Sequence, residues 1–175
     1  MRRVITGHDD DGRSAVVGTG VSPRTTHFKG CPGMSAEVMW ATDLAESDMT
    51  DNVLDVASLV PGPGGTRLFA LTLPPDAVMG TAEFDPELWQ SEQIAAFPGL
   101  AELFEPESPG THTTPTIDYV FVLSGGVVLE LDNHPNVELV VGDVVVQNAT
   151  RHAWRNPYDE PARLGVVLVG AASQA

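Results

Sequence analysis

The sequence predicts an all-β protein, a sandwich or barrel, with an N-terminal elaboration and one or two short helices. Three observations point there. From residue 115 onward, short Val-rich segments recur: YVFVLS (119–124), VVLELD (127–132), VELVVG (137–142), DVVVQN (143–148) and LGVVLVG (164–170). Turn residues separate them, namely Gly125-Gly126, the run Asp132 to Asn136, and Gly142-Asp143. Helical signals gather only at 86–104. Many short strands with turn signals between them are the pattern of a sandwich or barrel.

The elements follow in order. The first 30 residues are rich in Gly, Asp, Thr and Ser, with one apolar pair at Val16-Val17, and read as an arm with a short strand. MSAEVMWAT (34–42) partly alternates and reads as a strand. Residues 43–58 are acidic and weakly patterned, and are expected to form a loop or mobile excursion. PGPGG at 61–65 marks a turn, and RLFALTL (67–73) a strand closed by Pro74-Pro75. At 86–104, Asp85 suits an N-cap, Pro86 the first turn, and Glu87 the positive end of the helix dipole. Pro98-Gly99 must split this helix in two. Ile94, Phe97, Leu100, Leu103 and Phe104 are expected to pack against the body.

A chain of 175 residues and 18.6 kDa is the size of one domain. Nine Lys plus Arg against 24 Asp plus Glu leave a net charge of −15. Arg67 is the only Lys or Arg between Gly30 and Thr150. This balance opposes a nucleic-acid partner and docking on anionic membranes. The apolar runs are too short to span a bilayer, and no apolar leader follows Arg2-Arg3, so a cytoplasmic location is expected. A single cysteine, Cys31, excludes an intramolecular disulfide and a thiolate metal cluster; no base stands near it in sequence to activate it.

Among five histidines, His8 and His27 fall in the arm and His134 in a turn, and surface positions are expected for all three. His112 and His152 border strands. Asp118 opens an apolar strand, where an inward carboxylate needs a partner. Strand parity puts Asp118, Val120 and Val122 on one face and Tyr119 and Phe121 on the other. By the same parity Trp154 shares a face with His152 and could wall a pocket. Gln147 is a candidate inward hydrogen-bonding group. Arg151 and Arg155 are expected to pair with surface carboxylates, and Arg155 could also hold a substrate carboxylate at a pocket rim. Two imidazoles and a carboxylate can hold one divalent metal with positions left open, although three scattered residues make no specific motif by themselves.

The stretch from His112 to Val169, with HTTPTIDYVFVLSGGVVLELD…VELVVGDVVVQNATRHAWRN, resembles a small single-domain cupin of the cupin-2-like subgroup. His112 matches the first histidine of the first cupin motif, Asp118 its glutamate and Gly125 its glycine; Thr114 stands at the second histidine. Gly142, His152 and Asn156 match the second motif, with Asn148 near its missing proline and the spacing one residue short. The resemblance implies a double-stranded β-helix (cupin/jelly-roll) barrel. It implies one domain over 1–175, with an arm, strands and short helices at 1–107 and the motif-bearing core at 108–170. It implies one divalent ion, Fe(II), Zn(II) or Mn(II), on His112, Asp118 and His152, with Thr114, Trp154 and Gln147 lining the pocket. The helices at 86–104, just before the first motif, are expected to cap one mouth of the barrel. The implied function is a metal-dependent enzyme of small-molecule or secondary metabolism with a redox-neutral reaction, a dehydration, isomerisation, cyclisation or decarboxylation in which Asp118 moves a proton. An O2-using non-haem Fe(II) oxygenase and a non-catalytic ligand-binding barrel are the alternatives. A homodimer is the expected assembly.

Overall fold

The computed structural model describes residues 1–43, 51 and 53–171. The chain opens on a hairpin, β1 (Arg2–His8) and β2 (Ser14–Val21), in place of the single short strand expected in the arm. The Asp9 carboxylate closes its turn by accepting from the backbone N–H of Asp11 and Arg13. Gly7, Gly18 and Gly20 conceal the two strands in sequence, because glycine is depleted in strands.

Next come β3 (Arg24–His27), β4 (Ser35–Thr42) and β5 (Thr66–Leu73). The helix α1 (Pro86–Ala96) begins where Asp85 accepts from Leu88 N–H at 3.0 Å. It stops at Pro98-Gly99, and one 3-10 turn at Ala101–Leu103 follows. The β half then runs β6 (Thr116–Ser124), β7 (Val127–Leu131), β8 (His134–Leu139), β9 (Val144–Asn148), β10 (His152–Arg155) and β11 (Ala162–Gly170).

Six strands form one antiparallel sheet in the order β3-β4-β5-β11-β6-β9, and three form a second in the order β10-β7-β8. Side chains of both sheets meet in a single core, with Phe69, Val120, Leu129, Leu139, Leu164 and Trp154 among its members. This is a double-stranded β-helix barrel. A second core lies at the N-terminal end of the large sheet, where Val38 and Phe28 meet Phe97 and Leu100. Of the five residues expected to face the body from 86–104, Phe97, Leu100 and Phe104 do so, whereas Ile94 and Leu103 are exposed. The helix turns Trp89 toward the core instead.

The excursion expected at 43–58 divides. Residues 44–50 and 52 lie outside the described residues. Residues 53–58 form a loop as expected, but a packed one: Val53 and Val56, with Leu59 just after, are buried in the second core. Two guanidinium groups pin this backbone. Arg24 donates to the carbonyls of Val53 and Val56, and the buried Arg67 donates to those of Ser58, Thr42 and Thr66 while pairing with Asp43. Among the described residues, no helix is long and apolar enough to cross a membrane.

Candidate active site

Strand β6 alternates as the sequence parity requires. Thr116, Asp118, Val120 and Val122 are buried, while Tyr119, Phe121 and Leu123 are exposed. Across the sheet Asp118 sits opposite Gln147 of β9 and Leu168 of β11. Beyond Thr116 the chain turns back to His112, which forms an isolated bridge with His152 at the start of β10. Each backbone N–H donates to the other's carbonyl, at 3.0 and 3.1 Å. This bridge brings two residues 40 positions apart into ring contact, with centroids 4.5 Å apart. Phe104 stands edge-on to His112 at 5.1 Å, and Trp154 edge-on to His152 at 5.8 Å.

The tautomer of both rings is fixed. His112 Nδ1 lies 3.1 Å from the Gly110 carbonyl, and His152 Nδ1 lies 2.9 Å from the Thr150 carbonyl. A carbonyl only accepts, so each Nδ1 carries the proton and each Nε2 is left as an acceptor. Burial holds both imidazoles below their ordinary pKa. For His152 the neighbouring His112 adds to this, and its value falls to about 4. Both rings are therefore neutral at neutral pH.

Asp118 lies in a cage of hydroxyls. Thr116 Oγ1 donates to Oδ1 at 2.5 Å and stands 2.7 Å from Thr114 Oγ1, which is 3.5 Å from Oδ2. Burial pushes the carboxyl above its ordinary pKa, and the threonine hydroxyls pull against that rise. Asp118, Thr114, His112, His152 and Trp154 all open on one cavity of roughly 150 Å³. Its far wall comes from the helical segment, through Trp89, Gln93, Phe97, Leu100 and Phe104, so this segment covers one side of the barrel. Gln147 is buried opposite Asp118 but is not part of the cavity wall; its Nε2 has no hydrogen-bond partner, and its Oε1 accepts from Thr150.

Hydrogen bonds from Nδ1 orient the two imidazoles in the way that metal-ligating rings are oriented. The third ligand is not in place. Asp118 is engaged by Thr116 and Thr114, and among the described residues no three His, Cys, Asp or Glu side chains gather closely enough to hold an ion. Thr114 turns its hydroxyl to Thr116 and Asp118 and fills no ligand position. The three-ligand triad of the sequence reading does not fit the residues as they stand.

The remaining candidates have plain places. His8, His27 and His134 are exposed. Arg151 pairs with Glu105 and Asp132, and Arg155 with Glu130. Asn156 donates to the carbonyls of Leu73 and Glu160, which fixes the end of β10. Thr116 was not singled out in the sequence, although parity with Asp118 marks it as inward, and Phe104 was expected only to pack against the body, not to line the cavity. Nothing in the sequence marks Cys31, which is buried and lines the cavity.

Comparison with known proteins agrees with this architecture. The cupin-2 family model, described as a cupin domain, matches residues 101–169. Oryzines biosynthesis cluster protein J of Aspergillus oryzae is 41% identical over 49 residues, 28% of this chain and 27% of that protein. Phomopsin biosynthesis cluster protein C′ of Diaporthe leptostromiformis is 49% identical over 45 residues, 26% of this chain and 24% of that protein. The matched segments thus span about a quarter of these curated relatives. Among solved structures, a cupin 2 conserved barrel domain protein from Salinispora arenicola aligns at 14% identity and TM-score 0.43, covering 78% of this chain and 75% of that one. A cupin-like protein from Thermotoga maritima aligns at 12% identity and TM-score 0.44, covering 78% and 68%. Residues 101–169, the part of the chain that carries both histidines and most of the barrel strands, thus match a cupin domain of the cupin-2 kind.

Proposed function

We propose that this cupin is an enzyme that moves a proton on a small organic substrate inside the barrel, in a redox-neutral reaction of the dehydratase or isomerase class. The observation that carries this reading is the convergence of two neutral imidazoles and one caged carboxyl on a single apolar cavity. Buried titratable groups with displaced pKa values in a cleft are the ordinary mark of acid–base chemistry. Asp118 moves the proton. Burial makes its carboxyl a better proton holder, and the Thr116 and Thr114 hydroxyls receive the charge when the proton leaves. His112 and His152 accept hydrogen bonds from the substrate at Nε2 and orient it. Both fungal relatives are named after biosynthesis clusters, which supports a biosynthetic intermediate as substrate. The working unit is proposed to be a homodimer built on the outer face of the large sheet.

Proton exchange from small ketones and enols in D2O, followed by NMR, tests the reading. Asp118→Asn is expected to lower exchange by about 10²-fold or more with an unchanged unfolding midpoint. Unchanged exchange in that variant removes Asp118 from the chemistry. Saturable binding with no exchange for any bound compound makes the chain a ligand carrier.

The paired rings favour one further reading, in which Fe(II), Zn(II) or Mn(II) binds to the two Nε2 atoms. Calorimetric titration of each ion into the wild type and His112→Ala tests it. Wild-type binding that disappears in the variant supports it, and heats at the level of dilution for all three ions sink it. Oxygen consumption that requires Fe(II) and substrate moves the protein to the oxygenase class.

A further inference from the structure

The cavity also constrains what it can hold; this step rests on the cavity being the substrate site. Its volume, roughly 150 Å³, is that of an apolar cavity that accepts a benzene-sized guest. Five aromatic side chains line it, from Phe69, Trp89, Phe97, Phe104 and Trp154. Such walls favour a flat apolar body and offer ring edges and faces for stacking.

Charge narrows the choice. Among the described residues, the wall carries two carboxyl groups, Asp76 and Asp118, and a single cation, Arg155. That cation is committed, with Nε donating to Glu130 Oε2 at 2.9 Å and a terminal nitrogen donating to the Pro109 carbonyl at 2.9 Å. A carboxylate or phosphate entering here meets two acids and no free guanidinium, and a buried anion without a partner is strongly disfavoured. Arg155 thus pairs with a carboxylate as expected and is not free to act as the substrate clamp that was the second option for it.

The polar pole fixes the functional group. Both Nδ1 atoms are engaged by backbone carbonyls, so His112 and His152 present acceptors and no donors. An acceptor pair selects a ligand that donates, and a hydroxyl does so where an ether, methyl or carboxylate oxygen does not. We infer that this site takes an uncharged molecule of about one ring that presents a hydroxyl, as a phenol, enol or cyclic alcohol does, to the His112–His152 pair.

Trp89 and Trp154 line the cavity, so intrinsic fluorescence reports occupancy. The probes are 4-methylphenol, its methyl ether and 4-methylbenzoate, titrated into the full chain at pH 7.5. The phenol is expected to bind about tenfold or more tightly than the ether and than the benzoate. His112→Ala and His152→Ala are expected to erase the preference for phenol over ether, while the benzoate stays weak. Equal affinity for phenol and ether in the wild type overturns the inference, and so does tighter binding of benzoate. The wild-type panel decides the matter even where a histidine variant fails to fold. Binding in the expected order with no proton exchange leaves this inference standing and sinks the catalytic reading; exchange from a carboxylate substrate does the reverse.

Discussion

At the scale of the residue, His152 controls how the barrel responds to acid. It is only 4% exposed, and its folded pKa is about 4 against 6.5 when unfolded. Between those values the unfolded chain binds a proton that the folded chain does not, so stability falls as pH drops through that window. His112, also held low by burial, pulls the same way. Asp118 opposes them, because its raised folded pKa adds stability as pH falls through that value. One proton taken up only on unfolding costs about 2 kcal/mol between pH 6.5 and 5. The unfolding free energy of His152→Gln, from urea titration, is therefore expected to fall less than that of the wild type over that range, by about this amount; parallel decline in both proteins refutes the assignment. The residues of the site were largely legible in the sequence. Parity found Asp118 and Trp154, and the motif found His112 and His152. The hydroxyl cage and the 4.5 Å contact between the rings were not, because they arise from a bridge between residues distant in sequence.

At the scale of the element, α1 makes one cavity wall only because Gly30 lets it approach. A Cβ at Gly30 would lie 2.3 Å from Trp89 N and 2.7 Å from the Asp85 carbonyl, and both are backbone atoms that cannot step aside. The same segment is laced to the helix: the backbone N–H groups of Lys29 and Gly30 donate to the Glu92 carboxylate, and Asp85 N–H donates to the Gly30 carbonyl. Gly30→Ala must push the helix outward and carry Trp89 away from the cavity. It is expected to cost about 2 kcal/mol in urea unfolding and at least tenfold in 4-methylphenol affinity. Gly80→Ala, with open space at its Cβ, is the control expected to change neither. If Gly30→Ala binds like the wild type, the helix is not a fixed wall. The helix itself was legible from Asp85, Pro86 and Pro98-Gly99, since caps and breakers act locally. The packing of the loop at 53–59 was not. Its acidic, weakly patterned sequence conceals Val53, Val56 and Leu59, whose burial depends on Arg24 and Arg67 reaching across from β3 and β5.

At the scale of the whole molecule, the question is why so acidic a chain leaves a broad apolar stretch on one face, beside the Arg163–Glu37 ion pair. The outer side of the large sheet presents Tyr119, Phe121 and Leu123 of β6, Val144 and Val146 of β9, and Leu68 of β5, each at least 40% exposed. They are contiguous, because Tyr119 pairs with Val146, Phe121 with Val144, and Val167 of β11 links Tyr119 to Leu68. The apolar area is on the order of 400 Å², as large as the most prominent patch on a typical monomer. It is about half of the ~800 Å² that each partner contributes to a standard interface, which is the share expected of an apolar centre inside a polar rim. A second copy is the occupant this face suits. A two-fold axis sets the same apolar surface against itself and needs no opposite charge at its centre. Light scattering is therefore expected to give twice 18.6 kDa at tens of micromolar protein, with tighter association as salt screens the repulsion between like-charged copies. The double variant Phe121→Asp, Val144→Asp is expected to run as a monomer and still bind 4-methylphenol, because both side chains point away from the cavity. A wild-type protein that stays monomeric at 50 μM and high salt removes the second copy as the partner of this face.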